Sequence, residues 1–226
     1  MKKYVLTLIA ASFLMISANS QIIRGGINFA NITKTNDGDI DDANMLTSFQ
    51  VGLIGDWKLL PMLRLQPGIV FSGKGAKTEF GEPEDANYSR ATTNPYYIEI
   101  PVNLVFKTPT GPVKFFIGAG PYLAIGVAGK LENKGKVLGI SYENEEDIVW
   151  SDDDPTTLDY EEGAGLGIMR RFDYGANITG GIEFTKLVIG VNYGHGLAKL
   201  QSGSDSDADD DNKHRVFSVT LGIKLN

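Results

Sequence analysis

From Ile22 onward, apolar residues recur at every second position in eight runs: 22–32, 48–58, 62–73, 96–107, 113–130, 169–184, 187–198 and 214–225. A period of two marks a β-strand with one apolar and one polar face. The last run is the clearest. Phe217, Val219, Leu221, Ile223 and Leu225 share one parity, while Ser218, Thr220, Gly222, Lys224 and Asn226 share the other. A strand crosses the apolar layer of a bilayer in about 9–11 residues, whereas strands of soluble proteins average about five or six. The runs here have the longer length. No stretch after residue 20 approaches the apolar length that a membrane helix needs.

The connections between runs hold 15, 3, 22, 5, 38, 2 and 15 residues, so long and short alternate without exception. In an up-and-down meander, alternate connections share a rim, and outer-membrane barrels pair short periplasmic turns with long outer loops. The expected fold is therefore all-β: an eight-stranded antiparallel up-and-down transmembrane β-barrel over residues 21–226. Both termini would be periplasmic, and the long outer loops would be 33–47, 74–95, 131–168 and 199–213. These four connections carry 24 of the 28 acidic residues and only eight basic ones, so the outer rim should be strongly acidic. Glycine accounts for 27 of the 226 residues, well above the usual share of about 7%. That suits a narrow barrel whose interior is crowded with side chains.

Alternation alone does not say which face is apolar, because a lipocalin-like soluble barrel alternates with its apolar face inward. Aromatic residues favour lipid. On the apolar parity, Phe49, Phe71, Tyr96, Phe172, Tyr193 and Phe217 lie toward the long-loop rim. Trp57, Phe106, Phe115 and Phe184 lie toward the short-turn rim. Two such girdles are what the two interfaces of a bilayer select. The opposite parity holds Gly, Ser, Thr, Asn and Gln with a few opposed charges, which a solvated exterior would not.

Residues 1–20 read as a targeting signal. Lys2 and Lys3 precede an apolar run at 4–16 that is too short to span a membrane, and Ala18-Asn19-Ser20 supplies small residues for cleavage. The chain has no cysteine, which excludes a disulfide framework, a thiol nucleophile and a lipid-acceptor cysteine.

Several segments resemble the PorT-like outer-membrane β-barrel family of the Bacteroidota. Asn94-Pro95-Tyr96-Tyr97-Ile98-Glu99-Ile100-Pro101-Val102-Asn103-Leu104 is similar to its "YLEIPLLLK" strand, and Gly118-Ala119-Gly120-Pro121-Tyr122 to its "GAGPY" strand. Arg24-Gly25-Gly26-Ile27-Asn28-Phe29-Ala30 resembles its opening "G-x-N-x-A/S" strand, and Phe172-Asp173-Tyr174-Gly175 followed by Gly180-Gly181-Ile182 its "D-x-G…GG" strand. Tyr193-Gly194 and Leu197 are similar to a "YGLTNL"-like strand. The resemblance implies fold and location over the mature chain; the partners expected of such a barrel are outer-membrane lipid and other envelope or secretion proteins. It does not imply an activity. The chain departs from barrels that end in an aromatic residue, finishing Lys224-Leu225-Asn226.

Arg24, Arg64, Glu99, Lys107, Lys114, Asp173, Glu183 and Lys224 share the inward parity. Buried charges must be paired, so these residues should form a lumen charge network that plugs the barrel; a narrow conducting pore is the alternative. Pro101 and Pro121 sit inside runs, where a bulge or kink is expected. His195 and His214 lie near the outer rim on opposite parities, which argues against a catalytic dyad and for a protein that is not an enzyme. A rim hydrolase of lipid or peptide remains a further alternative. Asp205, Asp207, Asp209 and Asp211 offer spaced oxygens for weak Ca2+ binding, although Asp210 stands where a calcium loop needs glycine; solvated, self-repelling loops are the other reading. Otherwise no cofactor is expected. No basic-aromatic face points to nucleic acid.

Overall fold

The computed structural model describes residues 21–33, 45–109, 111–150, 168–200 and 212–225. The segment read as a signal, most of the connections 33–47 and 199–213, part of 131–168, and Asp205, Asp207, Asp209 and Asp211 lie outside the described residues.

Among the described residues thirteen strands form: β1 (Gln21–Ile32), β2 (Leu46–Gly55), β3 (Trp57–Lys58), β4 (Leu63–Gly73), β5 (Ala76–Phe80), β6 (Tyr88–Lys107), β7 (Lys114–Val137), β8 (Ile140–Asp147), β9 (Val149–Trp150), β10 (Ile168–Met169), β11 (Phe172–Glu183), β12 (Leu187–Gly196) and β13 (His214–Lys224). Eight of them close a ring. The order runs β4-β2-β1-β13-β12-β11-β7-β6, and β6 pairs back onto β4. Every pairing in the ring is antiparallel. Ring neighbours follow one another along the chain, and β13 meets β1 from Ile22↔Lys224 to Ile32↔His214. Closure leaves no sheet edge within the ring, which is the condition for strands to cross a bilayer.

The burial pattern shows which way each parity points. Along β13, Val216, Ser218 and Thr220 are buried, while Phe217, Val219, Leu221 and Ile223 are exposed. On β7, Ile117 is 64% exposed and Leu123 is 67% exposed. Asn28 and Tyr97 on the inner face are fully buried. The apolar residues thus stand outside and the polar ones inside, the reverse of a lipocalin-like barrel. Only an apolar solvent stabilises an outer wall of this kind.

Two expectations need correction. The stretches 74–95 and 131–168 are not wholly loops. β5, the outer half of β6, the outer half of β7 and β8 make a four-stranded sheet that continues the barrel wall beyond the ring. The physical reason is that alternation disappears where both faces are wet. Tyr88-Ser89-Arg90-Ala91-Thr92-Thr93 is rich in strand formers but has no apolar parity. Opposite charges brace this sheet across its strands. Glu79 faces Arg90 in register and also pairs with Lys77 at 3.2 Å, while Lys134 faces Glu143 at 3.1 Å. Burial works to raise the Glu79 carboxyl, but hydrogen bonds from Lys77 and Arg90 outweigh it and hold it below the ordinary carboxylate range.

The second correction concerns the bulge expected at the prolines. Pro101 and Pro121 interrupt ladders without shifting them: β6 and β7 pair at Pro101↔Tyr122 and resume in the same register at Leu104↔Ala119. The bulge lies elsewhere, between Tyr96 and Tyr97, where β7 carries Val127 as an extra residue.

Candidate functional site: the filled lumen and its cap

The inward side chains form three polar layers and an apolar cap. Nearest the short turns, Lys107 is almost fully buried. Its Nζ donates to Asp56 Oδ2 at 3.0 Å and to Glu183 Oε2 at 2.5 Å. Lys224 reaches Glu183 Oε1 at 2.8 Å, and Gln66 donates to Asp56 Oδ1 at 2.9 Å. Two lysines thus neutralise two carboxylates.

The middle layer is uncharged except for Arg24. Gln50 donates to Asn28 Oδ1, and the Asn28 amide donates to Ser72 Oγ and to the Gly73 carbonyl, each at 2.9 Å. Thr179 and Arg24 both donate to Asn192 Oδ1, at 2.7 and 3.4 Å. These residues come from strands on opposite sides of the ring and span the lumen.

Toward the outer rim the centre is Lys74. Its Nζ lies 2.7 Å from Glu99 Oε2 and 3.0 Å from Asp173 Oδ2, and 4.1 Å from the centre of the Tyr122 ring. Tyr122 donates to Asp173 at 3.1 Å, and Asn177 donates to Glu99 at 3.1 Å. Lys74 alone leaves one negative charge uncompensated in this layer. Arg24 feels the field of Glu99 from the layer below, so the two layers together are neutral.

An apolar cap covers the Lys74 layer. Trp150 meets Tyr97 edge-on, with ring centres 5.4 Å apart, and Tyr97 in turn meets His214 at 5.3 Å. Ile32, Ala76, Ile148, Met169 and Leu200 form a buried cluster around Trp150. β9 and β10, which pair in parallel, hold the indole in place. The seat requires glycine, because a Cβ on Gly126 would lie 2.2 Å from Trp150 Cζ3. A cavity of about 30 Å³ lies between Arg24, Lys74 and Glu99, and another of about 20 Å³ lies below Arg24. Each has room for about one or two waters.

Of the eight residues read from the sequence as a lumen network, Lys107, Glu183 and Lys224 meet in one cluster, and Glu99 and Asp173 meet in another. Arg24, Arg64 and Lys114 make no ion pair within 4 Å among the described residues. The residues that organise both clusters, Lys74 and Asp56, were not in that set. Lys74 follows the third run and reads as loop. The signal that could have found it is its flanking by Gly73 and Gly75. A Cβ on Gly75 would lie 2.1 Å from the Thr93 carbonyl oxygen, so only glycine lets the chain turn Lys74 inward.

The two histidines are separated by the wall. His195 stands on the outer face beside Tyr193, with ring centres 6.2 Å apart. His214 is fully buried inside, with Nε2 3.3 Å from Tyr97 Oη. Phe49, Phe71 and Tyr96 pack as an aromatic group on the outer wall, with Phe71 and Tyr96 stacked at 5.4 Å. Phe106, Phe115, Phe184, Phe172 and Phe217 are exposed, while Trp57 and Tyr193 are half-buried. Among the described residues no cluster of acids or histidines could hold a metal ion.

A closed eight-stranded ring with a polar, filled interior and an apolar exterior defines an outer-membrane β-barrel. The chain belongs to the outer membrane protein beta-barrel domain family, whose pattern it matches over residues 22–202. That family places it in the bacterial outer membrane. Similar solved structures include Ail, the attachment invasion locus protein of Yersinia pestis. The identity is 15%, with 92% of this chain and 99% of that one covered, at a TM-score of 0.41. Neisserial surface protein A is similar at 11% identity, 90% and 95% coverage and a TM-score of 0.43. The N-terminal barrel domain of Pseudomonas aeruginosa OprF is similar at 8% identity, 91% and 97% coverage and a TM-score of 0.33. No curated protein matches the chain.

Proposed function

We propose that this protein is a non-conducting, non-enzymatic outer-membrane barrel that plants a stiff acidic sheet outside the cell, in an envelope-structural or surface-interaction role. One observation carries the reading: the lumen is closed twice, by layers of hydrogen-bonded side chains whose charges balance in total and by the apolar cap over Trp150. A permeant solute would have to break buried ion pairs whose members would then be stranded without partners. The outward sheet supplies the surface for contact, and β8 presents Glu143, Glu145, Glu146 and Asp147 on a strand exposed along its whole length.

In this reading residues 1–20 are removed on export, both termini face the periplasm, and the acidic connections face outward. Partners in this reading are other envelope or secretion proteins. The separation of His195 from His214 by the barrel wall supports the absence of hydrolase chemistry at the rim. The test is single-channel recording of the refolded mature chain in planar bilayers, after a heat-dependent gel shift has shown that the barrel is folded. No steady current is expected. A reproducible ohmic conductance from the heat-sensitive form refutes the proposal and establishes the channel instead.

A further inference from the structure

We propose that the open edge of β8 takes up an extended, basic segment of a partner protein as one more strand of the outer sheet. The inference deepens the surface-interaction reading and rests on it, since it assigns that role to one strand and gives the chemistry of the partner.

The edge follows from the turn before it. Leu138 and Gly139 link β7 to β8 with φ of 51° and 80°, the two positive values of a type I′ hairpin turn. Such a turn makes Val137↔Ile140 a hydrogen-bonded pair, and bonded pairs then recur at every second residue. The bond from the Ile148 amide to the Gly129 carbonyl, 3.0 Å long, keeps the same phase at the far end. Ser141, Glu143, Glu145 and Asp147 fall between these pairs. Their N–H and C=O groups therefore point away from β7, and among the described residues no strand pairs with β8 on that side. All eight residues of β8 are exposed. A row of unpaired donors and acceptors is a template for another strand.

Charge selects the occupant. The same alternation puts the side chains of Glu143, Glu145 and Asp147 on one face. β8 holds four acidic residues and no basic one. Pairing with β8 of a second copy would set carboxylates against carboxylates, which is destabilising. A strand with Lys or Arg at every second position sets cations against them instead. Lys134 and Lys130 hold Glu143 and Glu145 from the β7 side, yet both carboxylates stay exposed by half or more, so a second cation has access from across the edge. On the other face, Ile140 is 75% and Tyr142 44% exposed, which suits apolar residues between the basic ones.

The probe is a synthetic nonapeptide alternating lysine with valine, added to the refolded mature chain in zwitterionic detergent micelles and followed by amide exchange. At saturation the amides of Ser141, Glu143, Glu145 and Asp147 should gain protection of about tenfold or more. Those of Tyr142, Asn144 and Glu146, already bonded to β7, should change little. N-methylation of the lysine amides keeps every charge but removes the donors to β8, and should weaken binding by about tenfold. Glu143→Gln, Glu145→Gln and Asp147→Asn should each weaken it by about threefold. Glu145→Pro removes an amide that β7 does not use and should block the peptide while the gel shift persists; if it disturbs the sheet, the N-methylated peptide carries the test. Equal binding of the N-methylated peptide reduces the site to loose ionic attraction and overturns the proposal. So does protection of the same four amides that rises with protein concentration alone, which would make β8 a seam between copies. Absence of peptide protection with no channel current overturns this proposal only, whereas a steady current overturns the reading on which it rests.

Discussion

Replacing Lys107 by methionine keeps the length of the side chain and removes its charge from between Asp56 and Glu183. Breaking a buried ion pair by deleting one partner costs about 3–5 kcal/mol, because the remaining charge is stranded. The lower end applies here. Glu183 keeps Lys224 at 2.8 Å, and Asp56 keeps the Gln66 amide at 2.9 Å, so the expected loss is about 3 kcal/mol. Adding Asp56→Asn restores neutrality to the layer and should recover about 2 kcal/mol of that loss. Lys114→Met is the control. Lys114 shares the inward parity but forms no ion pair among the described residues, so its change should lie within about 0.5 kcal/mol. The assay is urea unfolding of the refolded chain in lipid vesicles, followed by Trp57 and Trp150 fluorescence and extrapolated linearly to water. A Lys107→Met loss below about 1 kcal/mol, or an Asp56→Asn change that adds to the loss, refutes the account of the layer as a neutral, mutually dependent unit.

Three further outcomes are expected. Ile117→Arg places a charge on the lipid-facing wall and should cost about 2–4 kcal/mol in the same vesicle assay if the site lies near the midplane; a change near zero would mean that this wall faces water. Gly126→Ala should drive Trp150 from its seat, at a cost of about 1–3 kcal/mol, with a red shift of tryptophan emission; unchanged emission would show that the cap is not packed as described. The Glu79 carboxyl is held below its ordinary value, so its contribution to the outer sheet is complete above the unfolded-state pKa. It is lost only as pH falls through the lower folded value, so amide protection at Ser89–Ala91, corrected for intrinsic exchange, should hold down to about pH 4 and decline below it. Protection that declines from pH 6 would contradict this.

The barrel was legible because a bilayer imposes a period of two on any strand that crosses it, and this period is visible in Phe217, Val219, Leu221 and Ile223 without any structure. The outer sheet was not legible for the complementary reason: Tyr88-Ser89-Arg90-Ala91 pairs on both sides in water, where no parity must be apolar. Parity also assigned Lys107, Glu183, Lys224, Glu99 and Asp173 to the interior, but it cannot say which of them meet. That depends on stagger around the ring, which brings Glu99 of β6 to Asp173 of β11 through a lysine on neither strand. Lys74 lies past a strand end, where periodicity has stopped, and only the glycines beside it record that the chain turns inward. The apolar cap was hidden for a similar reason. Ile148 and Trp150 look like scattered residues in an acidic connection, and Met169 like the start of the next run, until β9 and β10 bring them together.

The bulge between Tyr96 and Tyr97 is the only shift in a ladder that otherwise runs from Lys107↔Phe116, inside the ring, out to Tyr88↔Lys136. The outer sheet therefore has no flexible neck. At about 3.3 Å per residue, the stretch from Tyr96 to Tyr88 carries its end some 26 Å past the bulge. A tug on that end is directed along β6 and β7, whose flanks are bonded to β4 and β11 by hydrogen bonds lying across the pull. Those bonds are loaded in shear and must give way together, whereas bonds that are peeled open fail one after another. A body attached to the sheet would thus be moored to the membrane through the full length of two staves, and drag would be borne by the wall before it could reach the paired charges within.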